Sequence, residues 1–150
     1  MADRPEAVVR LLARALTGST YAVLGLDAVR TPGARVGMAG PTLAAMRRVL
    51  PLPFDDEMLV RGNAAVQAAA GSLLAVGVLP RAAALVLVGS LVPTTIAGHA
   101  FWSVDEQPAR TMQRVQFQKN LAMIGGLLFA ALDGPVRSRT RARPDQPPVS

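Results

Sequence analysis

The sequence contains no cysteine, and this absence excludes several kinds of chemistry. Disulfide bonds, thiolate metal sites and thiol relays that act through this chain alone all require a cysteine sulfur. The chain also has one histidine, His99, so no second imidazole exists to complete a nitrogen or sulfur ligand set for a metal ion. We therefore expect no metal site.

Charged residues are scarce and unevenly spread. They make up 17% of the chain against 51% hydrophobic residues, and the mean hydropathy is +0.32. The 16 basic and 10 acidic residues lie mostly between and beyond long apolar stretches, which is typical of a polytopic membrane protein. A soluble alanine-rich bundle would give its helices a polar face, and residues 82–92 and 121–132 have almost none. The pattern predicts an all-α integral membrane protein.

Four apolar stretches predict a transmembrane four-helix bundle in a domain of residues 1–136. The predicted spans are about residues 8–29, 59–79, 82–102 and 115–132. The uninterrupted part of the first span is too short for a hydrocarbon core about 30 Å thick, so this helix must include Arg14. Pro80 and Arg81 form too short a break for a further crossing, so the second and third spans should form a tight antiparallel hairpin.

The first loop contains a short segment, residues 41–50, with helical amphipathicity. Leu43, Met46 and Leu50 fall on one helical face, while Arg47 and Arg48 fall on another. Pro41, which follows a glycine, suits the first position of a helix. We expect a short amphipathic helix that lies in the membrane interface.

The segment 137–150 is basic, polar and proline-containing, and we expect it to be disordered. Its four arginines directly follow the last predicted span, which favours a cytoplasmic location for both termini of a multi-pass protein in the bacterial cytoplasmic membrane. Beside a transmembrane span, the simplest partner for these arginines is anionic lipid rather than nucleic acid.

With that orientation, polar residues from all four spans gather near the outer ends of the helices, at helical spacings within each span. The candidate site residues are Asp27, Asn63, Gln67, His99, Trp102, Gln116, Lys119 and Asn120. Polar side chains at membrane depth are costly unless they are paired, so a ligand or quinone headgroup site is one interpretation. The alternative is structural, with an Asp27–Lys119 ion pair that fixes the order of the helices.

His99 is the side chain whose ordinary pKa lies near neutrality, so it could pass a proton to a reducible headgroup. The competing interpretation is a structural or interfacial histidine. Trp102 could stack on a ring, and tryptophan at the end of a span is also a common interface residue. No phosphate loop, dinucleotide fingerprint or nucleophile elbow is present, and no catalytic residue can be assigned.

The chain resembles the DoxX family of small four-span bacterial membrane proteins. The resemblance covers roughly residues 10–133, from Arg14, Gly18 and Gly25 in the first span through the hairpin GSLLAVGVLPRAAALVL to the segment QFQKNLAMIGGLL. It implies a cytoplasmic-membrane protein linked to redox metabolism, because relatives include subunits associated with thiosulfate:quinone oxidoreductase and proteins implicated in oxidative-stress defence with a superoxide dismutase and a sulfurtransferase. The chain differs from many relatives in its longer first loop and in having Gln67, not an acidic residue, in the second span.

The leading hypothesis from the sequence is a non-catalytic or quinone-handling membrane subunit of an oxidative-stress or sulfur redox system. A quinone is the one cofactor that it suggests, and whether the chain catalyses a reaction is left open. A second hypothesis is a membrane scaffold or assembly factor that binds partner enzymes through its cytoplasmic ends. A third is a small transporter, which would need dimerisation to build a path. Homo-oligomerisation is left open.

Overall fold

The computed structural model describes residues 3–132, and the regular secondary structure of this part of the chain is all helical. It consists of α1 (Asp3–Arg30), α2 (Ala34–Arg47), α3 (Asp56–Ala75), α4 (Pro80–Gly98), a short 3₁₀ turn (Phe101–Ser103) and α5 (Gln107–Leu132). The all-α prediction is confirmed for these residues. The basic tail, residues 137–150, lies outside the described part.

Three of the described helices are long and apolar enough to cross a membrane. These segments are Pro5–Arg30, Pro80–Ser103 and Gln107–Leu132, and they correspond to the first, third and fourth predicted spans. The second predicted span corresponds to α3, which is not among them, because Arg61, Asn63 and Gln67 lower its hydropathy. The membrane character of the chain is therefore confirmed through three helices, and the fourth span stays a prediction.

Helices α1 and α3 run antiparallel and approach each other closely at three glycines. A Cβ atom on Gly18 would stand 2.5 Å from the carbonyl oxygen of Gly71, and one on Gly25 would stand 2.7 Å from that of Ala64. On the opposite helix, a Cβ on Gly71 would stand 2.6 Å from the amide nitrogen of Ala22. No larger side chain fits at these positions, and the two backbones pack directly on each other.

The predicted hairpin between the second and third spans is present, but its break lies earlier than expected. Helix α3 ends at Ala75, and Gly77 and Leu79 adopt the left-handed region with φ of 74° and 47°. Pro80 is the first residue of α4 and not part of the break. Proline suits this position because its missing N–H would have no partner in the first helical turn.

The buried core lies between α3, α4 and one face each of α1 and α5. Its fully buried large side chains are Leu74, Leu87 and Leu127, and Tyr21 packs against the same cluster. Outside this cluster the helices present large apolar side chains outward, such as Leu16 at 69% and Phe129 at 77% exposure. In a bilayer such surfaces contact lipid chains, so an apolar exterior fits a membrane-spanning bundle.

Helix α2 corrects the prediction for the first loop. It begins at Ala34 and not at Pro41, because Gly33, with φ of 51°, turns the chain sharply after α1 and allows the helix to start at once. Pro41 therefore lies inside the helix. Helix α2 ends at Arg47, so Leu50 lies beyond it and is exposed.

The packing of α1 on α3 generates a prediction about glycine substitutions. We expect Gly71→Ala to lower the free energy of unfolding by about 1–3 kcal/mol. Its methyl group would clash with backbone atoms of α1, which can move away only if the whole helix shifts. Gly89→Ala in α4 is the matched control, since a Cβ there has no other heavy atom within 4 Å. Reversible unfolding of the detergent-solubilised protein by increasing SDS would measure both, and equal stability of the two variants would contradict the close-packing interpretation.

Candidate functional site

A set of hydrogen-bonded polar side chains joins α3, α4 and α5 between their apolar faces. We call it the inner polar network, and its members are Asn63, Gln67, Ser90, Thr94, Thr95 and Asn120. Ser90 and Thr95 are buried and the other four side chains are half-buried. The network brings together three of the residues that the sequence analysis singled out.

Asn63 is the residue through which the α3–α4 part of this network is organised. Its Nδ2 donates to the hydroxyl of Thr94 at 2.8 Å, and its Oδ1 accepts from the hydroxyl of Ser90 at 2.7 Å. Gln67, one helical turn further along α3, donates from Nε2 to the same Thr94 hydroxyl at 3.3 Å. Asn63 and Gln67 share a helix face because they are four residues apart.

Helix α5 joins the network through a single bond, from Asn120 Nδ2 to the hydroxyl of Thr95 at 3.1 Å. The hydroxyls of Thr94 and Thr95 donate to the carbonyls of Ser90 and Leu91 in their own helix, at 2.8 and 2.7 Å. Each threonine thus donates within α4 and accepts from another helix. Both hydroxyls therefore donate one hydrogen bond and accept at least one within the protein.

A second group of residues lies beyond the network, where α4 ends and α5 begins. We call it the outer group, and its members are His99, Gln113, Phe101, Trp102 and Phe117. The three aromatic rings contact one another edge to face, with centroid separations of 5.2 to 5.8 Å. His99 lies two residues before the first of these rings, and the Phe101 N–H donates to its carbonyl at 2.8 Å.

The imidazole of His99 is oriented by Gln113, whose Oε1 lies 2.7 Å from Nδ1. A carbonyl oxygen only accepts, so this bond assigns the ring proton of the neutral imidazole to Nδ1. The lone pair is then on Nε2, which is the atom left for a ligand or a proton. His99 reaches this position because α4 stops at Gly98 and the His99 backbone, with φ of −134°, leaves the helix.

The remaining predicted site residues are not part of either group. The carboxylate of Asp27 pairs with Arg35 at 3.0 Å and not with Lys119, because α2 starts directly after α1 and brings Arg35 back beside it. Lys119 is exposed and has no ion-pair partner among residues 3–132. Gln116 is half-buried.

Several members of these groups are missing from the predicted site. Ser90, Thr94 and Thr95 follow the i, i+4 and i+5 spacing around Pro93, which places them on one side of α4. Gln113 and Phe117 are four residues apart on α5 and share a face. The spacing within each helix could therefore have indicated that these residues share a face. To select them as site residues, one also has to know which residues of the neighbouring helices lie opposite.

Tyr21 is a further buried polar side chain that the sequence does not single out. It is 2% exposed, and its hydroxyl has no hydrogen-bond partner within the described part of the chain. Its neighbours are apolar core residues, among them Leu74 and Leu127. A buried hydroxyl without a partner lowers the free energy of unfolding by roughly 1–3 kcal/mol. The Tyr21 hydroxyl is therefore expected to reduce the stability of the fold.

The polar side chains of the outer group are suited to a neutral polar ligand. They are one imidazole, one amide and one indole, and residues 3–132 contain no cluster of three or more His, Cys, Asp or Glu that could hold a metal. Planar rings with edge oxygens match such donors and the aromatic contacts of the outer group.

Comparison with known proteins gives one match. A family model described as DoxX matches residues 9–100, which is more than half of the chain and extends from α1 through the end of α4. The matched region includes Asn63, Gln67 and His99, whereas Trp102 and all of α5 lie beyond it. No curated protein and no solved structure matches the chain.

The geometry of the inner polar network predicts the effect of removing its central amide. We expect Asn63→Ala to lower the free energy of unfolding by about 1–2 kcal/mol, because it removes the acceptor of the Ser90 hydroxyl and leaves Thr94 with the longer bond from Gln67 as its contact to α3. Gln118→Ala removes an exposed amide from α5 and should change stability by less than about 0.5 kcal/mol. Unfolding in mixed micelles would measure both variants, and an Asn63→Ala protein as stable as the control would show that the network contributes nothing to folding.

Proposed function

The chain belongs to the DoxX family, and on this premise we propose that it is a membrane subunit of an oxidative-stress or sulfur redox system, in which a quinone headgroup binds at the outer group. The observation that carries the proposal is the oriented imidazole of His99 beside three aromatic rings at the edge of a membrane-spanning bundle. A quinone is lipid-soluble, planar and carries hydrogen-bond acceptors, so it would reach such a site from the bilayer.

The outer group supplies what a reducible ring requires from the protein. His99 accepts a proton at Nε2 and, once protonated, donates from the same atom to a ring oxygen, while Gln113 holds the imidazole by its other nitrogen. Trp102 is 56% exposed, so its indole is accessible to a ligand. Electrons for reduction of the quinone would come from oxidation of a sulfur substrate by a partner such as thiosulfate:quinone oxidoreductase subunits. A sulfurtransferase and a superoxide dismutase are the other candidate partners of the subunit.

The inner polar network supports the bundle in this proposal and does not bind the ligand. Both polar atoms of the Asn63 amide are already bonded to Ser90 and Thr94. A ligand at this level would have to break those bonds before it could form its own. The same observation favours the alternative proposal, a non-catalytic scaffold or assembly factor, because a network satisfied within the protein needs no ligand.

We also propose that the bundle has four spans, with α3 as the second and both termini in the cytoplasm. Helix α3 has 20 residues, which at about 1.5 Å per residue matches a hydrocarbon core of about 30 Å. It runs beside α1 at the glycines and beside α4 at the polar network, so its polar side chains have protein neighbours. Polar groups inside a bundle are tolerated where they pair with one another.

Single cysteines in this cysteine-free chain test the four-span topology. We expect Asp105→Cys to react with a membrane-impermeant maleimide in intact cells, and Val78→Cys and Ser138→Cys to react only after lysis. Ala2→Cys and Ser138→Cys should always label on the same side, because an even number of spans returns the chain to its starting side. Labelling of these two positions on opposite sides would contradict four spans.

Substitution of His99 tests the quinone proposal. We expect His99→Ala to lower the amount of quinone retained per purified protein about tenfold, because it removes the hydrogen bond between Nε2 and the headgroup, in which the imidazolium donates to a quinone oxygen or the neutral ring accepts from a quinol hydroxyl. Lys119→Ala is the control: Lys119 lies two positions beyond Phe117, on the other side of α5, and should leave retention unchanged. Mass spectrometry of the lipid extract would measure retention, and an unfolding curve would show that both variants fold.

The same preparations separate the two proposals. If the wild-type protein retains no quinone above a mock purification, the quinone proposal fails. Deletion of residues 137–150 then tests the scaffold, because loss of co-purified partner enzymes from this variant would assign docking to the tail. Retained quinone together with unchanged partners after the deletion would instead argue against the scaffold.

A further inference from the structure

The segment between α2 and α3 is a closed apolar loop. We call residues 49–54 the apolar loop, and their sequence is VLPLPF. Arg47, the last residue of α2, donates to the carboxylate of Asp56 at 2.5 Å and to the carbonyl of Phe54 at 2.7 Å. One arginine therefore connects both ends of the loop, which fixes its shape.

Three large apolar side chains of this loop are exposed, and Leu52 is half-buried. Val49 is 79% exposed, Leu50 49% and Phe54 53%, and Met58 in the first turn of α3 adds another 54% exposed side chain. Exposed apolar side chains adjacent in the chain are unusual on a protein surface that faces water. They are expected on a surface that faces lipid.

Most residues of the loop have no backbone N–H group that depends on water as a hydrogen-bond partner. The N–H groups of Val49 and Leu50 both donate to the carbonyl of Met46, at 3.0 and 2.9 Å. Pro51 and Pro53 have no N–H to satisfy. Four of the six loop residues therefore have no unpaired backbone N–H group. This lowers the free-energy cost of moving the loop from water into the membrane interface.

The charges around the loop favour a negatively charged lipid. Arg48 stands at the start of the loop, is exposed, and has no acidic partner among residues 3–132. At the other end of the loop, Asp56 pairs with Arg47, and Asp55 caps the first turn of α3 by accepting from the Met58 N–H at 2.7 Å. The charge without an ion-pair partner at the start of the loop, next to Val49 and Leu50, is therefore positive.

We infer that the apolar loop inserts into the membrane interface at the α2 end of the bundle and that Arg48 binds the phosphate of an anionic phospholipid there. The loop leads directly into α3, which packs beside the spanning helices α1 and α4, so it lies at the level where the spans emerge from the bilayer. Amphipathic surface elements of this kind combine buried apolar area with attraction to anionic lipid. This inference is independent of the quinone and scaffold proposals.

Tryptophan fluorescence tests the insertion, since Trp102 is the single tryptophan of the chain. In a Trp102→Phe background reconstituted into nanodiscs, we expect Phe54→Trp to emit at short wavelength and to be quenched by phospholipids brominated in the upper acyl chain. Val86→Trp on the exposed face of α4 is the lipid-facing control, and Asp105→Trp in the polar loop is the aqueous control. Equal quenching of the Phe54→Trp and Asp105→Trp proteins by aqueous iodide would overturn the inference. The exposed apolar side chains of the loop would then be assigned to the binding of a soluble protein.

The lipid preference is tested with the same Phe54→Trp protein. In nanodiscs of equal phosphatidylglycerol and phosphatidylcholine, bromine placed on the phosphatidylglycerol should quench this tryptophan more than bromine placed on the phosphatidylcholine. Arg48→Gln should reduce the enrichment of phosphatidylglycerol over phosphatidylcholine next to the loop about fivefold. This is the effect expected of one basic side chain at an anionic surface. Equal quenching by the two lipids, or a preference unchanged by Arg48→Gln, would overturn the phosphate part of the inference.

Discussion

The direct backbone contact between α1 and α3 is the constraint on which the rest of the structure depends. Gly18 and Gly25 allow α1 to lie against Gly71 and its neighbours with no side chain between the two backbones. Among the long helices of residues 3–132, α3 is the one whose hydropathy does not reach that of a membrane span, and this contact covers one of its sides. Its remaining protein contact is mainly with α4, and Asn63 and Gln67 point there.

The position of α3 then sets the register of α4 and α5. Asn63 bonds to two hydroxyls that are one turn apart on α4, which limits how far α4 can slide along α3. The next hydroxyl, that of Thr95, binds Asn120 and aligns α5 in the same way. One turn beyond Thr95, the same alignment of α4 and α5 places His99 opposite Gln113.

Comparison of sequence and structure shows where local patterns stop being informative. Hydropathy located α1, α4 and α5, and i, i+4 spacing placed Asn63 and Gln67 on one face, because both depend on one helix at a time. The partner of Asp27 depends on the path of the first loop, which Gly33 determines through a single backbone angle. The roles of Thr94 and Thr95 depend on which helix lies opposite, since a threonine hydroxyl in a helix can always donate to the carbonyl four residues earlier and needs no other helix for that bond.

The weak hydropathy of α3 follows from the same reasoning. Hydropathy measures the average preference of a helix for lipid, whereas a helix between two others in a bundle exposes only part of its surface to lipid. The outward residues of α3, such as Val66 and Leu73, are apolar, and its polar Asn63 and Gln67 face α4. In the four-span proposal these two amides thus lie where protein replaces lipid, and Arg61, near the start of α3, bonds to the carbonyl of Val29 at the end of α1. The lower hydropathy of α3 would then reflect its polar contacts with α1 and α4, and not a position outside the membrane.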